Sequence, residues 1–124
     1  MRKYSKIMLA TGILGLMLTA SSHAQEKAKE EAKPETGKDI AFNVRKGNCL
    51  ACHLMPGVPD AISSATIGPP LVAMKARYPD VAVLRDKVWD SSRTAPTTAM
   101  PPFGKHQVLS DKEIDKIVEF IHGI

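Results

Sequence analysis

Residues 47–53 read Gly-Asn-Cys-Leu-Ala-Cys-His, and they hold both cysteines of a 124-residue chain. The two thiols lie about one helical turn apart, and a histidine directly follows the second. Thiols so placed can each form a thioether with a vinyl group of haem, which holds the histidine under the iron as an axial ligand. Cys-x-x-Cys-His is the attachment signal for c-type haem. The spacing therefore assigns Cys49 and Cys52 to covalent attachment of one haem c, and His53 to its iron. Three other uses of paired cysteines fit less well. A thioredoxin-like Cys-x-x-Cys needs a βαβ setting, and the sequence offers no strand pattern. Structural zinc takes four ligands, and a second cysteine pair is missing. A disulfide between Cys49 and Cys52 would close too short a loop to stabilise much.

The other face of the iron needs its own reading. Met55 lies too close to His53 to cross the haem plane. Met74 sits between Leu71 and Tyr78 at helical spacing and reads as core filler. Met100 lies in the loop Thr98-Ala99-Met100-Pro101-Pro102-Phe103-Gly104. The two prolines stiffen its backbone and lower the entropy lost in presenting sulfur to iron. Met100 is thus the expected distal ligand. His106 and His122 compete for that role, although His122 reads better as a helix C-terminal residue. With His and Met both bound, no position is open to a substrate and the reduction potential is raised, which suits electron transfer. An unbound Met100 would instead suit peroxide or gas chemistry. A ligating histidine usually donates its second ring N–H to a carbonyl or carboxylate, and Ile67-Gly68-Pro69-Pro70-Leu71 offers rigid carbonyls for that purpose.

The rest of the chain agrees with one small haem domain. Arg2, Lys3 and Lys6 precede the 14-residue apolar run Ile7 to Ala20, and Ser22-His23-Ala24 follows. That is a secretory signal over 1–24, shorter than the roughly 20 residues of a membrane span. No cysteine follows directly to take a lipid, and an oxidising space such as the periplasm is the expected destination. Three basic and no acidic residues leave with the signal, so the charge of +4 falls to +1. Nucleic-acid binding, which wants a strongly basic face, is excluded. The only aromatics after residue 24 are Phe42, Tyr78, Trp89, Phe103 and Phe120. A core so short of aromatic area leaves room for a cofactor. The stretch 71–105 carries a net charge of +3, read as a solvated face that could also steer an acidic partner.

Residues 25–36, Gln-Glu-Lys-Ala-Lys-Glu-Glu-Ala-Lys-Pro-Glu-Thr, read as a polar linker, and 37–124 as the folded domain. The domain is expected to be all-α. A first helix is expected over Asp39 to Lys46, with Ile40, Phe42 and Val44 as its apolar positions. Proline and glycine make 54–70 a loop. Leu71 to Tyr78 can form two helical turns, and Val81 to Trp89 carries Val81, Leu84 and Val88 on one face. Loop is expected again over 91–104. In the last helix Ser110 and Glu113 form a capping box, followed by Ile114, Ile117, Val118 and Ile121 at core spacing.

Taken together, Cys-x-x-Cys-His, then Gly-Pro-x-Leu, then Met-Pro and a capped final helix resemble class I cytochrome c over residues 37–124. The resemblance implies short helices around one haem, with the first and last helices crossing, and it assigns the carbonyl acceptor for His53 to Pro69. The segments GNCLACH (47–53), IGPPL (67–71), MKARYPD (74–80), VWD (88–90) and MPPFGKHQVLSDKEID (100–115) are similar to the monohaem SoxX family of the SoxAX sulfur-oxidation cytochromes. That likeness implies a periplasmic heterodimer with a larger haem-bearing SoxA-like catalytic subunit. The complex would act as an L-cysteine S-thiosulfotransferase, joining thiosulfate oxidatively to a cysteine of a SoxYZ-like carrier protein. On this reading the chain has no catalytic residue of its own. It receives electrons at the haem held by Cys49, Cys52, His53 and Met100, and passes them to a soluble cytochrome. The competing expectation is a free class I electron shuttle.

Overall fold

The computed structural model describes residues 33–124, which form helices joined by long loops: α1 (Gly37–Phe42), α2 (Met74–Arg77), α3 (Val81–Asp90) and α4 (Asp111–His122). Single 3-10 turns occur at Cys49–Ala51 and Ser91–Arg93. No strand occurs among the described residues. The signal expected over 1–24 and residues 25–32 of the expected linker lie outside them.

The chemistry of α4 explains why it is the longest helix among the described residues. Ser110 Oγ accepts from the Glu113 N–H, and the Glu113 carboxylate accepts from the Ser110 N–H at 2.9 Å. Two otherwise orphaned amides are thereby satisfied. Ile114, Ile117, Val118 and Ile121 are then all buried, each such side chain contributing about 1.5–3 kcal/mol. Asp111 and Glu113 stand at the positive end of the helix dipole and His122 in its last turn. The partner of this apolar stripe is α1, through Ile40 and Ala41. The two helices come so close that a Cβ on Gly37 would lie 1.9 Å from the Lys116 carbonyl oxygen. Phe42 meets Phe120 edge-on, with ring centroids 6.1 Å apart.

Several elements differ from their expected bounds. Helix α1 starts at Gly37 rather than Asp39, because Thr36 and Asp39 form a second capping box. It also stops at Phe42, four residues early. The Gly47 N–H turns back to the Ile40 carbonyl and the Asn48 N–H to that of Asn43. Val44, expected on the apolar face, is consequently 76% exposed. Helix α2 is a single turn, since the Leu71 N–H is taken by the Leu54 carbonyl and Ala73 is left-handed with φ 50°. The Met74 N–H, which opens the turn, donates to the Ile124 carbonyl at 2.8 Å. Helix α3 forms as expected under an Asp80 N-cap, with Leu84 and Val88 buried but Val81 exposed in the first turn.

The last residues of the polar stretch are tied to this core. Lys46 Nζ donates to Glu113 Oε1 at 2.7 Å and also pairs with Glu35, while Lys116 Nζ donates to the Glu35 carbonyl at 2.8 Å. The Lys46 ammonium and the Ser110 N–H together hold the Glu113 carboxyl down at about 2.

Candidate haem-attachment site

The cysteines sit where the chain reverses after α1. Asn48 adopts the left-handed region with φ 46°, which asparagine tolerates better than most residues. The turn Cys49–Ala51 follows, and the Cys49 carbonyl accepts from the N–H groups of both Cys52, at 3.1 Å, and His53, at 2.9 Å. Neither cysteine is in a disulfide. Both are half-buried, and burial pushes the Cys49 thiol up to about 11. At neutral pH it is therefore a neutral thiol, unlike the thiolates of redox-active or metal-binding cysteines.

The loop 63–71 runs beside this turn and is pinned to it at several points. Ser63 Oγ donates to the Leu50 carbonyl at 2.6 Å. The Gly68 N–H donates to the Cys52 carbonyl and the Leu71 N–H to the Leu54 carbonyl, both at 2.8 Å. Between those anchors stand Pro69 and Pro70, which have no N–H but keep their carbonyls. His53 Nδ1 lies 2.7 Å from the Pro69 carbonyl oxygen. A carbonyl can only accept, so Nδ1 carries the proton and the neutral ring has its lone pair on Nε2. Among the described residues nothing hydrogen-bonds that nitrogen. Gly68 is required at this place, since a Cβ there would lie 2.3 Å from His53 Cε1.

Met100 belongs to a different loop. It is half-buried and packs against the same apolar core as Cys49, and its N–H donates to Thr98 Oγ1 at 3.1 Å. The end of the loop is fastened at α3. The Gly104 N–H donates to the Trp89 carbonyl at 3.0 Å, and a Cβ on Gly104 would lie 2.0 Å from Trp89 Cδ1. Lys105 Nζ lies 3.2 Å from the carboxylate of Asp90, a buried residue. Hydrogen bonds from Ser92, together with Lys105, hold the Asp90 carboxyl below its usual range.

The two competing histidines have other surroundings. His106 is exposed, and its backbone N–H donates to Pro102. His122 Nε2 lies 3.0 Å from the Tyr78 carbonyl oxygen, joining the end of α4 to the end of α2. Two contacts escaped the reading of the sequence, which counted Arg77, Asp90 and Lys105 only as charges. One is the Asp90–Lys105 pair. The other is Arg77 Nη1, which donates to the Pro70 carbonyl at 2.8 Å. The Asp-Ser-Ser of 90–92 was the one available signal, because aspartate commonly accepts from the N–H two residues on.

The donors present suit a covalently held haem. There are two unbridged thiols, an imidazole whose protonation leaves Nε2 free, a thioether on a separate loop, and a glycine cradle over the ring. Among the described residues no three His, Cys, Asp or Glu side chains gather as a metal cluster, so the sulfur and imidazole groups are the donors on offer. Residues 32–121 match the family described as "Cytochrome C oxidase, cbb3-type, subunit III". The chain belongs to this cytochrome c family, whose members carry haem c and transfer electrons. A curated relative is an uncharacterized lipoprotein of Aquifex aeolicus (strain VF5), 33% identical over 94 residues. The alignment covers 76% of this chain and 44% of that protein, so the chain spans less than half the length of its relative. No helix among the described residues is long and apolar enough to cross a membrane.

Proposed function

We propose that the protein is a periplasmic monohaem c-type cytochrome that accepts and passes single electrons as the SoxX-type subunit of a thiosulfate-oxidising complex. Haem c, when bound, would supply a one-electron iron couple. Cys49 and Cys52 would hold it covalently, and His53 Nε2 and Met100 Sδ would be the ligands offered to its iron. The observation that carries the electron-transfer reading is the 2.7 Å contact from His53 Nδ1 to the Pro69 carbonyl. It turns the ring lone pair away from the loop, and such a second-shell acceptor raises the basicity of the ligating nitrogen. With both His53 and Met100 given to the iron, no position would be left for a substrate, and the chain would conduct electrons rather than transform a bound molecule.

Membership of a SoxAX-like complex rests on the run of motifs from 47 to 115. The surface around the proximal loop adds support. Ile62, Ile67 and Val72, along and beside the loop that carries Pro69, are 90%, 70% and 44% exposed, and exposed apolar side chains on such a loop suit a lasting partner better than a shuttle's passing contacts. The partner is a SoxA-like subunit holding the catalytic haem, with a SoxYZ-like carrier and a soluble cytochrome on either side of the electron path. The test is affinity capture of the tagged mature protein from its host's periplasm, followed by a covalent-haem stain on a denaturing gel. A second, larger haem-staining band in equal proportion is expected. This chain alone, haem intact, would overturn the subunit reading and leave a mobile electron carrier.

A further inference from the structure

We infer that Arg77 is a positioning residue for His53: by gripping the Pro70 carbonyl it holds the Pro69 carbonyl against the imidazole, and so tunes the iron that His53 ligates. The inference rests on the haem reading above. Arg77 Nη1 is 2.8 Å from the Pro70 oxygen and 3.3 Å from the sulfur of buried Met74, and its guanidinium carbon is 5.8 Å from the centre of the Tyr78 ring. The head group thus has a seat of three walls although the residue is exposed.

The backbone explains why a grip on Pro70 acts on Pro69. The peptide unit whose carbonyl takes Arg77 also donates its N–H, that of Leu71, to the Leu54 carbonyl. This unit is therefore held on both sides. Upstream, the Gly68 N–H is held by the Cys52 carbonyl. Between these anchors the proline rings fix φ at residues 69 and 70, and each following proline restricts ψ of the residue before it, Gly68 and Pro69. The soft torsions left are φ of Gly68 and ψ of Pro70, and the clamped peptide sets the second. Without Arg77 that peptide keeps only its N–H anchor, and the carbonyl facing His53 can swing.

Two effects on the reduction potential then oppose each other. A looser Nδ1–H bond makes Nε2 a weaker donor, which disfavours the ferric state and raises the potential. Loss of a positive charge favours the ferric state and lowers it. Lys75 separates the two effects. It lies two residues earlier on the same helix, is exposed, and makes no hydrogen bond among the described residues. The experiment compares R77Q, R77K and K75Q in the haem-loaded full chain, by redox titration and by NMR exchange of the His53 Nδ1 proton in the reduced state. The expected result is a higher potential for R77Q than for K75Q, with exchange about tenfold faster in R77Q, as loss of roughly one charge-assisted hydrogen bond implies, and unchanged in K75Q. R77K keeps the charge but not the fork, and should fall between wild type and R77Q in exchange. Equal potentials in R77Q and K75Q with wild-type exchange in both would overturn the inference, even if R77Q melts earlier. A wild-type chain that purifies without covalent haem would overturn the haem reading itself, a result distinct from the first.

Discussion

The loop 63–71 on the His53 side and the loop 94–105 on the Met100 side do the same kind of work by different means. On the His53 side, backbone groups on both sides of the two prolines are bonded to the attachment turn at 2.8 Å, and the ring itself is bonded at 2.7 Å. On the Met100 side the N–H of the proposed ligand goes to the Thr98 hydroxyl, and the loop is fastened at its far end by the Gly104 N–H on the Trp89 carbonyl and by a half-exposed lysine on Asp90. The His53 loop is thus anchored on either side of the carbonyl that faces the ring, whereas the backbone anchor of the Met100 loop to α3 lies four residues beyond Met100, at Gly104. From this difference the histidine is expected to stay in place as part of the fold, and the loop carrying Met100 to open first.

The strongest way to break that comparison is a matched pair of glycine substitutions. Gly68→Ala would place a methyl 2.3 Å from His53 Cε1, and Gly104→Ala one 2.0 Å from Trp89 Cδ1. Each overlap should cost about 1–3 kcal/mol in thermal or denaturant unfolding. G68A should also lose most covalent haem, read by mass spectrometry, because the imidazole must move. G104A should keep the haem and lose only the methionine ligand. Equal haem loss in both would mean that the two sides are not distinct.

A gentler change sharpens the contrast. Asp90→Asn keeps the acceptor for Ser92 and removes the charge facing Lys105. It should speed cyanide binding to the ferric haem severalfold, read by stopped-flow absorbance, without changing covalent attachment. The smallest expected effect lies away from both loops, at Glu113. Its folded-state value of about 2 is below the ordinary 4.5, so its contribution is complete above about pH 4.5 and is lost as pH falls towards 2. Glu113→Gln should lower stability by about 1–2 kcal/mol at pH 7. The gap to wild type should close between pH 4.5 and 2 in urea melts, and a gap independent of pH would contradict the assignment.

Much of this was legible in the sequence, where chemistry is local. The Ser110–Glu113 capping box and the four isoleucine and valine positions behind it defined α4. The prolines of 54–70 announced a loop. What escaped was set by partners far away in the chain. Helix α2 is short because Met74 answers to Ile124 and Leu71 to Leu54, pairings that no window of sequence contains. Helix α1 starts at Gly37 because an aspartate completes its capping box, where the usual pattern has glutamate or glutamine. Arg77 looked like one positive charge among six in the stretch 71–105, and only the fold brings its guanidinium to Pro70.

The central claim is that His53 and Met100 are both bound to the iron of a haem joined to Cys49 and Cys52. The most direct measurement is the weak sulfur-to-iron charge-transfer absorption of the ferric, haem-loaded protein, recorded for wild type, M100A and H106A at equal haem content. The account predicts the band in wild type and H106A and its absence in M100A. A wild-type protein without the band, or an M100A protein that keeps it, would contradict the account.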